Sequence, residues 1–389
     1  MTNIVWQRAV IKVGSALVSP EGYGCSKEYL AAIASFIIQS KKQNKEVILV
    51  SSGSVSAARR SIKTGHRATI AEKQAMAAVG QMKMMANWAE LFNQSTHFSQ
   101  DKLSENDSAN DIANYECAQI LVTVEDLANR KRFVNIKNTI EQLLANNVIP
   151  IVNENDTVAV DEIKVGDNDN LAAHTAIATQ ADCLIICTDV DGLYTANPRT
   201  NINAKLISEV ETIDDSVMSL AGGAGTNVGT GGMITKLQAA QKCVSSGIRA
   251  VLVNGTKQTS FDELAKGHCS GTLFHAHSSI KRARRDWLTH TSKIKGTLVI
   301  DKGAANALST KGASLLAVGV TQVTGRFNAG DSVEIVFEGK VQGKGITNYS
   351  STEARRILGL KSAEIENVLG YYAGDEMVHR DNFVLSLIV

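Results

Sequence analysis

Residues 46–54 read EVILVSSGS, a strand-like apolar run that ends abruptly in Ser51-Ser52-Gly53-Ser54. A strand without polar alternation belongs in a sheet whose two faces are both covered. The same shape recurs at Val10-Ile11-Lys12-Val13-Gly14-Ser15 and in the ADCLIICTD stretch around Cys183–Thr188. Further strand-like runs are Gln119–Val124, Val148–Val152 and Arg249–Asn254, with Ala9–Val13 and Glu46–Ser51 completing the set. Between them lie helical patterns at Tyr29–Lys42, Ala71–Phe92, Ile136–Asn146, Asn168–Gln180 and Met233–Ser246. Strands alternating with helices predict α/β architecture, an open, mostly parallel sheet sandwiched by helices.

The pattern changes after Phe274. A charged connector, 276–294, carries Lys281, Arg282, Arg284 and Arg285, followed by Trp287. Short glycine-punctuated strands then dominate 295–389, which reads as a small, mainly β domain. A chain of 389 residues is expected to hold about two domains, here 1–275 and 295–389. The polar stretch Asn93–Asn114 is longer than most connections and reads as a disordered excursion or a mobile lid, with composition favouring the first.

Composition excludes several function classes. With 40 Lys+Arg against 39 Asp+Glu the net charge is +1, so nothing draws the whole chain to nucleic acid or anionic membrane. No apolar run approaches the roughly 18 residues that span a bilayer. The first residues meet Arg8 and Lys12 early and lack a secretory apolar core, so a cytoplasmic protein is expected. The six cysteines form no C-x-x-C pair and no zinc-type spacing. Cys183 and Cys187 read as core residues of a reducing compartment.

Candidate chemistry collects where strands end. Open α/β sheets bind ligands beyond the carboxyl ends of their strands, and Lys12 closes the first one. Ser52 and Gly53 form a strand-to-helix turn whose N–H groups suit an anion. AGGAGTNVGTGGMITK, residues 221–236, is no Walker loop but runs straight into a helix. Lys236 then sits in an early turn of that helix, against the macrodipole, unless an anion lies nearby. Three acidic and amide clusters add to these: Asn153–Asp156 and Thr188–Asp191 follow apolar strands, and Asp167–Asn170 opens a helix. Each alone is an ordinary turn or cap. Together with the lysines they describe one pocket with anion holders, amine or hydroxyl acceptors and candidate magnesium ligands.

The ordered segments VIKVGSALVS, VSSGSVSAA, IVNENDTVAV, IKVGDNDNLAA, TDVDGLYTANPR and GTGGMITKLQAA closely resemble the amino acid kinase family. The part from Gly296 to Tyr372, with VHRDNFV beyond it, resembles a PUA domain. The resemblance implies an enzyme that moves the γ-phosphoryl of ATP to the side-chain carboxylate of L-glutamate, the first step of proline biosynthesis. It further implies Mg2+ carried mainly on ATP, proline as an inhibitor, and a homo-oligomer, dimer or tetramer. By the same resemblance Lys12, Asp169 and Lys236 are catalytic. Ser52, Gly53, Asp156 and Asn168 would bind the amino acid. Lys12, Thr188, Asp189, Thr230, Gly231, Gly232, Met233 and Lys236 would hold the nucleotide. Two departures from the family pattern stand out: the length of Asn93–Asn114, and Ser54 where alanine is more usual, adding a hydroxyl next to the turn.

Rival readings differ in acceptor or class. N-acetylglutamate, aspartate or a nucleoside monophosphate are acceptors within the same fold. A buried Asp156 favours a free amino group over an acylated one. A nucleotide acceptor needs extra arginines, and only Arg59 and Arg60 are near. RNA binding through the PUA-like part and Lys281–Arg285 finds no support in overall charge.

Overall fold

The strand Arg8–Val13 (β1) shows why the apolar runs are continuous. Its Ala9, Ile11 and Val13 enter one buried cluster, whereas Val10 enters another on the opposite face. Glu46–Ser51 (β2) divides likewise, with Val47 and Leu49 on one side, Ile48 and Val50 on the other. Successive side chains in a strand point to opposite faces, so both faces demand cover. The computed structural model describes residues 2–64, 68–94, 114–128, 130–158, 168–221, 232–276 and 293–385.

Helices Leu30–Lys42 (α1), Ser54–Ala57 (α2) and Ile70–Gln94 (α3) follow the first strands. Next come Cys117–Val122 (β3), Arg130–Ala145 (α4), Ile149–Glu154 (β4), Asn168–Thr179 (α5) and Cys183–Thr188 (β5). Glu209–Val210 (β6), Met233–Ser245 (α6), Arg249–Asn254 (β7), Gln258–Ala265 (α7) and Thr272–Phe274 (β8) complete this part. The eight strands form one sheet in the order β3-β4-β2-β1-β5-β7-β8-β6. The first six in that order run parallel, and β8 is antiparallel to β7. The expected mostly parallel sheet is therefore present. Sequence-predicted strands agree within about three residues at each end, the usual softness of such boundaries.

The order matters for function. From β1 the chain builds outward through β2 on one side and later through β5 on the other. The crevice beyond the carboxyl ends of β1 and β5 is thus the topological switch point, where this architecture binds ligands. One face of the sheet is covered by α1, α3 and α7 through Ile33, Ile37, Trp88, Phe92 and Phe261. On the other, α5 contributes Leu171, Ala172 and Ala176, and α6 contributes Leu237 and Ala240. Helix α5 is buried almost all round, and its small side chains let it lie close to the sheet.

One close approach fixes how α2 and α3 pack. A Cβ built on Gly80 of α3 would stand 1.7 Å from the Ser54 carbonyl oxygen of α2. Alanine there cannot fit without moving one helix, an overpacking cost of about 3 kcal/mol. We expect Gly80→Ala to lower the melting temperature by roughly 5–10 °C. An unchanged melting curve by circular dichroism would show that α2 and α3 are not held so tightly.

Contacts divide the chain into two units, Met1–Leu127 with Ile136–Ile280, and Lys281–Val389 with Ala128–Asn135. The second unit contains Ile294–Ile300 (β9), Lys302–Lys311 (α8), Val320–Gly325 (β10), Ser332–Phe337 (β11) and Lys340–Ile346 (β12). Ser351–Arg356 (α9), Ser362–Leu369 (α10) and Phe383–Leu385 (β13) follow. Its five-stranded sheet runs β10-β9-β11-β12-β13 over a core of Leu298, Val333, Ile335, Tyr349, Ile357 and Ile365. The strands match expectation, but three short helices go beyond it. Their signals are local: Asp301 caps α8 by accepting from the Ala304 N–H, and Ser350 with Glu353 forms a capping box on α9. Among the described residues no helix is long and apolar enough to cross a membrane. The stretch 95–113 and the basic run Lys281–Arg285 lie outside the described residues.

Candidate active site

Lys12 is the fifth residue of β1 and shares its face with Val10, so its side chain rises toward α5 and α6. There its Nζ meets Asp169 Oδ1 at 2.5 Å. Lys236 Nζ, from the first turns of α6, reaches Asp169 Oδ2 at 3.1 Å, and the Thr235 hydroxyl donates to the same oxygen at 2.9 Å. All three charged groups are withdrawn from water, with exposures of 4% for Lys12, 0% for Asp169 and 8% for Lys236. Burial raises the Asp169 pKa, but the two ammonium groups overcome it and hold the carboxyl down at about 2. The anion expected beside a lysine in an early helical turn is thus Asp169 itself. Asp169 is no helix cap either, because α5 starts at Asn168 and the carboxylate is given to the lysines and Thr235.

A second constellation lies on the β2 side. Gly53 precedes α2 with φ +107°, a left-handed geometry open mainly to glycine, and so turns the chain sharply after Ser52. The two N–H of the Asn168 side-chain amide serve the Ser52 hydroxyl at 2.8 Å and Asn153 Oδ1 at 2.7 Å, and the Ser51 carbonyl at 3.3 Å shares one of them. Asn153 in turn donates to Gln81 Oε1 at 2.7 Å. Beside them the Ser54 hydroxyl donates to Asp156 Oδ2 at 2.7 Å, so the extra hydroxyl at position 54 orients a carboxylate. Losing that bond should leave Asp156 less well placed, a change of about 1 kcal/mol. We expect Ser54→Ala to raise the KM of an amine-bearing substrate about fivefold with kcat unchanged; an unaltered KM in steady-state assays would contradict this.

Thr188 and Asp189 end β5 but belong to a separate set of contacts. The Thr188 hydroxyl donates to Asp189 Oδ1 at 3.2 Å, and Arg199 pairs with Asp189 Oδ2 at 3.0 Å. Asp191 accepts from Lys257 at 2.6 Å and Asn254 at 2.8 Å, and these bonds lower its pKa. Gly232 and Met233 open α6; Gly232 precedes the helix with no side-chain cap, and among the described residues a Cβ there would touch only Ile234 Cγ2, at 3.9 Å. Thr230 and Gly231 lie outside the described residues. Arg60, considered above as a phosphate ligand, stacks on Tyr23 at 3.3 Å.

The structure therefore gathers Lys12, Asp169 and Lys236 into one cluster, and Ser52 with Asn168 into another. Of the participants, Gln81 alone escaped the sequence reading; Asn153 entered it only within the Asn153–Asp156 cluster, and Thr235 only within the 221–236 stretch. All six cysteines are free, and burial drives the Cys183 and Cys187 thiols up to about 12, in keeping with the core reading.

Comparison with known proteins identifies the family. A model of the amino acid kinase family matches residues 7–254, and one of the PUA domain matches residues 296–369. A glutamate 5-kinase of Salinibacter ruber is 46% identical over 388 residues, covering 98% of each chain. Similar enzymes of Idiomarina loihiensis and Citrifermentans bemidjiense are each 43% identical, with 98% and 97% of both chains covered. The chain belongs to the amino acid kinase family, among the glutamate 5-kinases that carry a C-terminal PUA domain.

Proposed function

We propose that this chain transfers the γ-phosphoryl group of ATP to the side-chain carboxylate of L-glutamate. The product is L-glutamyl 5-phosphate, and the reaction is the first step of proline biosynthesis. The observation that carries this reading is the Lys12–Asp169–Lys236 cluster, buried at the sheet's switch point.

The chemistry needs little besides charge and position. A side-chain carboxylate is ionised at pH 7, so the nucleophile requires no general base. The obstacle is repulsion between that carboxylate and the phosphates. Like charges about 4 Å apart at an effective dielectric near 20 repel by about 4 kcal/mol. Lys12 and Lys236 offset this, and Asp169 keeps both ammonium groups in place before substrates arrive. The donor set suits a triphosphate: two lysines and the uncapped start of α6 at Gly232–Met233, with Thr188, Asp189, Thr230 and Gly231 completing the nucleotide site. Mg2+, when bound, would be held mainly through ATP and would shield phosphate charge. Ser52, Gly53, Asn168 and Asp156 line the amino acid side, where Asp156 suits a free α-amino group. With this activity go inhibition by proline, a homo-oligomeric assembly, dimer or tetramer, and a cytoplasmic location.

The test is ADP release from MgATP with L-glutamate, N-acetylglutamate, aspartate and a nucleoside monophosphate in separate assays. Release with glutamate alone is expected. A preference for any other acceptor would reassign the substrate.

A further inference from the structure

Gln81 is 7% exposed, and its Nε2 finds no hydrogen-bond partner among the described residues. Its orientation is dictated from a distance. The Ser51 main-chain carbonyl can only accept, so Asn168 must turn its Nδ2 toward it. Asn153 must then offer Oδ1 to Asn168 and present Nδ2 to Gln81. Gln81 answers with Oε1, which leaves its two N–H protons pointing away from the relay. A buried donor without an acceptor is costly, so a group that supplies the acceptor binds there with advantage.

The neighbourhood identifies that group. Gly80, the preceding residue, lies against the Ser54 carbonyl, and the Ser54 hydroxyl holds Asp156. Gln81 itself bonds Asn153, three positions before Asp156 in the chain, so both groups are tied to the segment that ends β4. Asp156 suits an amine; a donor amide suits a carboxylate. Resting on the function proposed above, we propose that Gln81 donates from Nε2 to the α-carboxylate of the acceptor amino acid and sets specificity for it.

The probe is L-glutamate α-amide, which keeps the reacting side-chain carboxylate and replaces one α-carboxylate oxygen by NH2. Gln81→Glu retains an oxygen for Asn153 but removes the donor; Gln81→Leu removes both without adding charge. By ADP release, the wild-type protein should favour glutamate over the α-amide by at least tenfold in kcat/KM. Gln81→Glu should raise the glutamate KM at least tenfold, with kcat and the ATP KM changed less than threefold. In both variants the preference for glutamate should shrink at least tenfold. Should Gln81→Glu fail to fold, the Gln81→Leu preference gives the same reading. Wild-type preference in the folded variants, or equal KM increases for both substrates, overturns the assignment of Gln81 alone. No glutamate-dependent ADP release from the wild-type protein overturns the functional reading and this inference together.

Discussion

Replacing Lys12 or Lys236 by alanine should each lower kcat about a thousandfold, with the glutamate KM changed less than tenfold. The size follows from the repulsion of about 4 kcal/mol, or about three powers of ten in rate, which the two ammonium groups offset only as a pair. The split between kcat and KM follows from where the charge acts. Both ammonium groups pair with Asp169, whereas Asp156 is held by Ser54. On the proposed function they would stabilise charge as the phosphoryl moves and contribute little to holding the amino acid at rest. Steady-state assays at saturating MgATP, with circular dichroism to verify folding, check this. Near-wild-type turnover in either variant removes that lysine from the mechanism.

Asp169→Asn should lower kcat about a hundredfold. Asparagine keeps the shape, so the loss reports on charge: without a carboxylate the lysines lose their anchor, and small misplacements near the reacting atoms cost about 100-fold. The same variant has a thermodynamic signature. The folded-state pKa of Asp169, about 2, lies below the ordinary 3.8. A depressed carboxyl pKa gives stability that is fully present above about pH 4 and lost as pH falls toward 2. The difference corresponds to about 2 kcal/mol. Urea titrations of wild type should show that loss across this window, and Asp169→Asn should lack it. Equal acid sensitivity in the two proteins would mean that the lysines do not hold Asp169 ionised.

How much of this was legible in sequence depends on which residues set each feature. The apolar runs at Val10–Val13, Glu46–Ser51 and Cys183–Thr188 announced strands buried on both faces because that requirement acts on every residue. Lys12 and Lys236 stood out by violating local rules, a charge ending an apolar strand and a cation in an early helical turn. Asp169 was visible only as one of the polar residues in Asp167–Asn170, since an aspartate opening a helix looks like a cap; its role came through the family pattern. Gln81 gave no sign at all. It sits in an ordinary helical pattern, and its meaning comes from Asn153, 72 positions away, which itself answers to Asn168. Ser54 lay between these cases: its hydroxyl was noticeable, its partner Asp156 was set by the fold.

The central claim is transfer to a carboxylate of glutamate, and its product is an acyl phosphate, which hydroxylamine traps as a hydroxamate. Incubation with MgATP, hydroxylamine and L-glutamate should give hydroxamate in proportion to ADP, and none when glutamate is omitted. ADP formed with glutamate but without hydroxamate, or hydroxamate formed only with N-acetylglutamate or aspartate, would contradict it.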